Sequence, residues 1–219
     1  MNNVVAEEQV LAQVYTEVQE RFSGIADLAH GWEHVERVYK LAQYIAMQEG
    51  ADSFIVGMAA LMHDLGRTSM QHNGHHADLS VEMAGKLLQR YHVPADKQEA
   101  ILHAIVAHSF SRGVEPQTLE ARVVRDADRL DGLGAIGVMR WAITGAVRRT
   151  KQTLSYHPED PFGEQHDLDD HIYMLDHFYI KLLKLGQTMA TETGRLEAQR
   201  RTQFMHSYLD ELKHEIEIG

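Results

Sequence analysis

The sequence predicts an all-α fold, and three observations predict it. Apolar residues recur at helical spacing from end to end, one segment is apolar on nearly every side, and strand-like alternation is scarce. In the first segment Val10, Val14, Val18 and Phe22 share one helical face. Val35, Val38, Ala42 and Ile45 do the same in the second. The third, from Asp52 to Leu65, contains "FIVGMAALM", which suits a helix surrounded by others; Asp52 and Ser53 are its capping candidates and Gly66 its expected end. A fourth helix is expected around Ala77 to Tyr91, a fifth after Pro94 as a first-turn residue, and a sixth through "LEARVVRDADRL". Helical spacing returns in "GAIGVMRWAITGAV" and in "IYMLDHFYIKLLKL", and Leu196, Phe204, Tyr208, Leu212 and Ile216 approximate a final stripe. Between them lies the loop "YHPEDPFGEQHDLDD", with two of the four prolines, read as a lid or the edge of a cleft.

Composition narrows the function. The 219 residues fit one compact domain, and 44% apolar residues supply a core. With 21 Lys and Arg against 32 Asp and Glu the formal charge is -11, and no basic run is present. Binding to a nucleic-acid duplex is therefore not expected, because it depends on clustered positive charge. Zero cysteines exclude disulfides, thiolate zinc sites and a cysteine nucleophile. The acidic start does not read as a signal peptide and no membrane-spanning run occurs, so cytoplasmic localisation and no membrane partner are expected. Walker A, dinucleotide-fingerprint and nucleophile-elbow motifs are absent, and the glycines of "DGLGAIG" read as close helix packing.

The chemistry centres on "AALMHDLGR", where His63 and Asp64 follow an apolar run. A buried carboxylate costs several kcal/mol, about 3 to 5, unless paired or metal-bound. Loosening of the helix near Gly66 would let both side chains converge on one ion. His34 lies on another predicted helix and Asp128 on a third, each beside an apolar face. Two imidazoles and two carboxylates without sulfur suit a divalent ion such as Mn, Fe, Co, Ni, Zn or Mg. Plainer readings stand beside this one: a helical histidine is more often hydrogen-bonded or solvated than a ligand, and Asp128 has Arg125 and Arg129 as alternative partners.

The stretches "HGWEHVERV", "AALMHDLGR", "AIVAHSF", "LEARVVRDADRLDGLGAIGVMR", "HFYIKLLKL" and "RRTQFMHSYLDEL" together resemble the HD-domain metal-dependent phosphohydrolase superfamily, named for its His-Asp pair. The similarity is closer to its bacterial branch of nucleotide pyrophosphatases of the YpgQ and YedJ type, and it covers nearly the whole chain. The resemblance implies a compact HD-domain helical bundle over residues 1–219, with a metal-binding core at about 25–135 and C-terminal helices 136–219 packed on it. It also implies His34, His63, Asp64 and Asp128 as ligands of a divalent ion, Mn before Mg, Co, Ni, Fe or Zn, and hydrolysis of nucleotides, foremost pyrophosphate release from nucleoside triphosphates.

Around these ligands, Asp64, Asp131 and Arg67 are the candidate catalytic residues, and Arg37, His76, His108 and Lys181 the candidate substrate contacts. Arg37 and Arg67 each follow a ligand by three positions, with a structural ion pair as the equal alternative. Asp131, one turn past Asp128, reads as a general base or as a helix cap. His76 and His108 are placed to bond phosphate or pass a proton, and Lys181 to bring charge or to cover apolar surface with its stem. His92, His157, His166, His206 and His214 are assigned to the surface.

One departure stands out: the family has His-Asp-Trp where this chain reads His30-Gly31-Trp32, and Asp27 is the nearby substitute if the missing group is a cap. Two rival functions remain open on the sequence. One is a non-catalytic nucleotide sensor or metal-stabilised binding module; the other is a di-iron oxygenase using His76 and His108 as further ligands. The expected partner is a small nucleotide or phosphoester; the oligomeric state is open on the sequence, a homodimer being one option because symmetric dimers are the commonest soluble oligomers.

Overall fold

The computed structural model describes residues 2–69, 75–109 and 112–218; Gly74 and Phe110, at the edges of two sequence motifs, lie outside them. The helices are α1 (Asn2–Phe22), α2 (Trp32–Glu49), α3 (Ser53–Met62), α4 (His76–Arg90), α5 (Ala95–His108), α6 (Leu119–Asp131), α7 (Gly134–Arg148), α8 (Leu183–Leu185) and α9 (Glu192–Ile218). Among the described residues no strand forms, and sheet-like pairing is confined to an isolated bridge between Leu154 and Tyr173. The fold is all-α. No helix among them is long and apolar enough to cross a membrane.

The chain divides into two compact units, Met1–Asp128 and Arg129–Gly219. The boundary suggested by the sequence near residue 135 falls inside α7. In the first unit α3 is central, packed against α1, α2 and α5. Its lack of a polar face is the reason: Phe54, Val56, Met58, Leu61 and Met62 are all buried. Each such side chain contributes about 1.5–3 kcal/mol on leaving water. Val14, Val18 and Phe22 of α1 and Val35, Val38, Ala42 and Ile45 of α2 are buried as their spacing predicts. Asp52 caps α3, accepting from the amides of Phe54 at 2.9 Å and Ile55 at 3.1 Å.

Three local expectations change. Gly66 does not end α3, which stops at Met62; it lies inside a 3-10 turn, Leu65–Thr68. A Cβ there would come within 2.2 Å of the His76 carbonyl oxygen, so the glycine admits the close approach of α4. Pro94 is the N-cap of α5 and not a first-turn residue. The stripe on α9 is shifted in phase: Gly194, Ala198, Met205 and Leu209 are buried, while Leu196 and Phe204 are 60% and 47% exposed. Both sets obey helical spacing, and the small side chains select the face that packs, with Gly186 seated near Ala198.

In the second unit α7 packs on α9, and Arg201 of α9 donates to the Leu130 carbonyl at 2.7 Å. The segment expected as one helix through "HFYIKLLKL" rewinds instead, from a π turn at Phe178–Leu182 through α8 to a 3-10 turn at Gly186–Thr188. The preceding loop is tied by His166, whose Nδ1 is 2.7 Å from Asp160 Oδ2 and whose Nε2 is 3.0 Å from Asp176 Oδ2. The surface assignment of His166 is thus corrected: it is the middle of a carboxylate–imidazole–carboxylate bridge.

Candidate metal centre

Five element ends of the first unit bring polar side chains to one place. His34 projects from the buried side of α2. His63 is the C-cap of α3 with helical dihedrals, φ -56 and ψ -36. Asp64 then leaves the helix at φ -109 and ψ 15, in the sparsely populated region between helix and strand, which re-aims its carboxylate relative to His63. His76 opens α4, His108 ends α5, and Asp128 lies near the end of α6.

The distances are those of a shared centre. His34 Nε2 is 3.2 Å from His63 Nε2, 3.4 Å from Asp128 Oδ1 and 3.8 Å from Asp64 Oδ2. His63 Nε2 is 3.7 Å from Asp64 Oδ2 and 3.9 Å from Asp128 Oδ1. Donor atoms held about 2.0–2.2 Å from one ion stand roughly 3 Å apart when adjacent and roughly 4 Å apart when opposed. These separations fall in that range.

Tautomers are fixed from behind. His63 Nδ1–H donates to the Ala60 carbonyl at 2.7 Å, and His108 Nδ1–H donates to the Ile105 carbonyl at 2.5 Å. Each bond uses the helix's own backbone three residues back, and each leaves an Nε2 lone pair directed at the cluster, the arrangement a ligating imidazole needs. Asp64 completes the test of fit. Its Oδ2 accepts from Arg67 Nε at 2.6 Å, yet its buried Oδ1 has no hydrogen-bond partner. That oxygen faces His76 Nε2 at 3.7 Å and His108 Nε2 at 3.9 Å. An orphaned carboxylate oxygen among imidazole lone pairs is a stable arrangement when a cation is held there. The residues present fit a divalent ion.

Electrostatics agree. Burial pushes the His63 imidazole down to about 4, with Asp64 and Asp128 opposing and His108 and His34 adding to the shift. Burial, with Arg67, His108 and His75, likewise lowers His76 to about 4 against the pull of Asp64. Burial alone would raise the carboxyl of Asp64, but His63, Arg67, His108 and His34 outweigh it and hold it below the ordinary carboxylate range. Asp128 is lowered in the same way, with the bond from His34 the chief cause opposing burial. At neutral pH His63 and His76 are therefore neutral imidazoles, and Asp64 and Asp128 are ionised carboxylates. The two carboxylates at the centre would repel a phosphate unless a cation were added.

The floor is closed and the rim is open. The side chains of His34, His63, Asp64 and His108 are at most 4% exposed, while Asp128, His76 and Arg67 are 27%, 28% and 30% exposed. Of the other sequence candidates, Arg37 is half-buried one turn past His34 on α2. Asp131 and Lys181 belong to the second unit: Asp131 is buried with Arg140 Nη1 3.1 Å from its Oδ2, and Lys181 is exposed on the π turn. His108, grouped by sequence with the substrate contacts, lies with His63 and Asp64 among the atoms that could hold an ion. Its position at a helix end after an apolar run, as in His63, is the signal that would have found it.

Gly31 explains itself sterically. A Cβ there would lie 2.7 Å from the Asp27 carbonyl oxygen. Asp27 supplies the carboxylate of this turn, accepting from the Ala29 and His30 amides at 2.9 and 3.1 Å and standing 2.9 Å from His30 Nδ1.

Known proteins share this arrangement of chain and fold. Residues 31–133 match the HD domain family. The chain is 33% identical to YpgQ of Bacillus subtilis over 220 positions, which span 99% of this chain and 96% of that one. A crystal structure of Bacillus subtilis YpgQ in complex with ADP superposes with a TM-score of 0.75 at 32% identity, covering 96% of both chains. A HD-superfamily hydrolase from Bacillus thuringiensis superposes at 0.77 with 30% identity, over 97% of this chain and 100% of the other. With its His-Asp pair in a buried cluster of side chains that could hold a cation, the chain belongs to the HD domain family, among the HD-superfamily hydrolases.

Proposed function

We propose that this protein is a metal-dependent phosphohydrolase that cleaves nucleoside triphosphates to the monophosphate and pyrophosphate. The observation that carries the reading is the partnerless Asp64 Oδ1 facing the Nε2 atoms of His76 and His108. The ADP bound to YpgQ supports a nucleotide as the ligand class. His34, His63, Asp64 and Asp128 would hold the ion, with His108 beside them. A divalent ion bound there would lower the pKa of a coordinated water and neutralise phosphate charge.

The chain's own groups do the rest. Arg67 holds Asp64 by a charge-assisted bond and, at 30% exposure, keeps its positive charge at the open rim. Arg37 adds positive charge one turn from His34. His76, neutral and half-exposed, is placed to accept a proton from the attacking water. Water oxygen bonds to the α-phosphorus, the α–β phosphoanhydride bond breaks, and the electron pair leaves with pyrophosphate. Asp131, paired with Arg140, fits the role of a structural anchor better than that of a general base. Lys181 remains a candidate substrate contact.

The test is a panel of nucleoside triphosphates and generic phosphoesters with Mn, Mg, Co and Ni, products separated by chromatography. Run in H₂¹⁸O, the expected reaction places the label in the monophosphate. Asp64→Ala should remove bound metal and lower turnover by ~10³-fold or more. Full turnover by metal-free Asp64→Ala protein would refute the mechanism, and tight nucleotide binding without product under every metal would favour the sensor. One Mn per chain is expected on metal counting; two irons per chain would favour the oxygenase, with His76 and His108 as the further ligands.

A further inference from the structure

The buried hydroxyl of Ser80 joins the two segments that carry Asp64 and His76. Its Oγ accepts from the Gly66 amide at 2.9 Å and donates to the His76 carbonyl at 2.9 Å. Ser80 is 0% exposed. A serine bonding the carbonyl four residues back is an ordinary helix feature and couples nothing by itself. Here the same oxygen also takes an amide from the His-Asp turn, two residues past Asp64. That turn is pressed on α4 so closely that a Cβ on Gly66 would meet Leu79 Cβ at 2.8 Å and the Ser80 nitrogen at 3.0 Å, besides the His76 carbonyl. Backbone contact this tight transmits position. The partnerless Asp64 Oδ1 and the His76 Nε2 it faces, 3.7 Å apart, thus belong to two segments that this hydroxyl joins.

We propose that Ser80 is a positioning residue that sets the spacing between Asp64 and His76, and with it the open side of the metal centre. The inference rests on reading that cluster as the active site. Replacing Ser80 with alanine leaves the Gly66 amide buried without an acceptor, so the turn and α4 separate or slide. The control is Ala84→Gly, a substitution at a fully buried position of the same helix that weakens α4 without touching the hydroxyl.

The experiment uses the full metal-free chain, then Mn²⁺ alone as probe. Ser80→Ala is expected to shift the ¹H–¹³C cross-peaks of the His76 ring and to weaken Mn²⁺ binding by about tenfold or more, as loss of an outer hydrogen bond does at metal sites. Ala84→Gly is expected to lower the urea midpoint while leaving both readouts at wild type. The proposal is overturned if Ser80→Ala lowers only the urea midpoint, or if Ala84→Gly moves the His76 ring and the Mn²⁺ affinity equally. Should Ser80→Ala not fold, hydrogen exchange of the wild-type Gly66 amide decides. Protection equal to that of the buried α4 amides supports the clamp, and exchange at the rate of an open amide overturns it. None of these readouts needs turnover, so a protein that hydrolyses no nucleotide would sink the proposed activity while leaving the clamp standing or falling separately.

Discussion

At the scale of single residues, the site depends on imidazoles that stay neutral and carboxylates that stay charged. His63 and His76, both near 4, lie below the usual 6.5 for histidine. A folded-state pKa below the unfolded one contributes stability that is present above 6.5 and is lost as pH falls towards 4. The urea midpoint of the metal-free protein should therefore fall across that window, and Mn²⁺ affinity should fall as pH approaches 4, where protons compete for Nε2. A midpoint that stays level there would mean these rings are not held neutral by the fold. Gly31 permits a second prediction. Restoring the family's aspartate by Gly31→Asp forces a Cβ against the Asp27 carbonyl, so it should cost about 1–3 kcal/mol in a urea titration. Little of this was visible beforehand: the residue types announced a cation site, but the direction of each lone pair depends on which backbone carbonyl sits behind each ring.

Elements add their own constraints. Two residues past the end of α4, His92 stands at φ 53, a left-handed position that glycine adopts without the Cβ penalty. His92→Gly should raise stability by about 1 kcal/mol, read from the thermal midpoint of the metal-free protein. In the second unit, the bridge of Asp160, His166 and Asp176 uses both ring nitrogens of His166 on carboxylates, which raises its pKa above the ordinary value. A raised folded-state pKa contributes stability that is complete below the unfolded value and is lost as pH climbs through the folded one. The amides of Gln165, His166 and Asp169, which donate to the flanking carboxylates, should accordingly exchange faster than their chemistry demands as pH climbs past that point. His166→Ala should show the loosened pattern at every pH; unchanged protection in that variant would count against the bridge. The sequence marked this stretch as a loop from its prolines and polar residues. It could not mark the tie, because ten positions separate His166 from Asp176 and only the path of the loop closes that gap.

For the whole molecule, the metal is expected to act as a folding ligand as well as a cofactor. A cation that binds only the folded chain adds about 2.7 kcal/mol at a concentration of a hundred times its Kd. The thermal midpoint should rise with Mn²⁺ in the wild type and stay level in Asp64→Ala. By itself the sequence determined the helical class, the Asp52 cap, the buried faces of the early helices, and the residue types of the candidate site, because these follow from period, residue type and local backbone bonding. Only the tertiary structure decided which of two equally periodic faces of α9 is buried, that Gly66 serves a close approach and not a helix end, and that His108 and Asp64 Oδ1 share one centre. Those outcomes turn on contacts between residues far apart in the chain, where steric fit and unmet hydrogen-bonding capacity choose among arrangements that local spacing leaves equal.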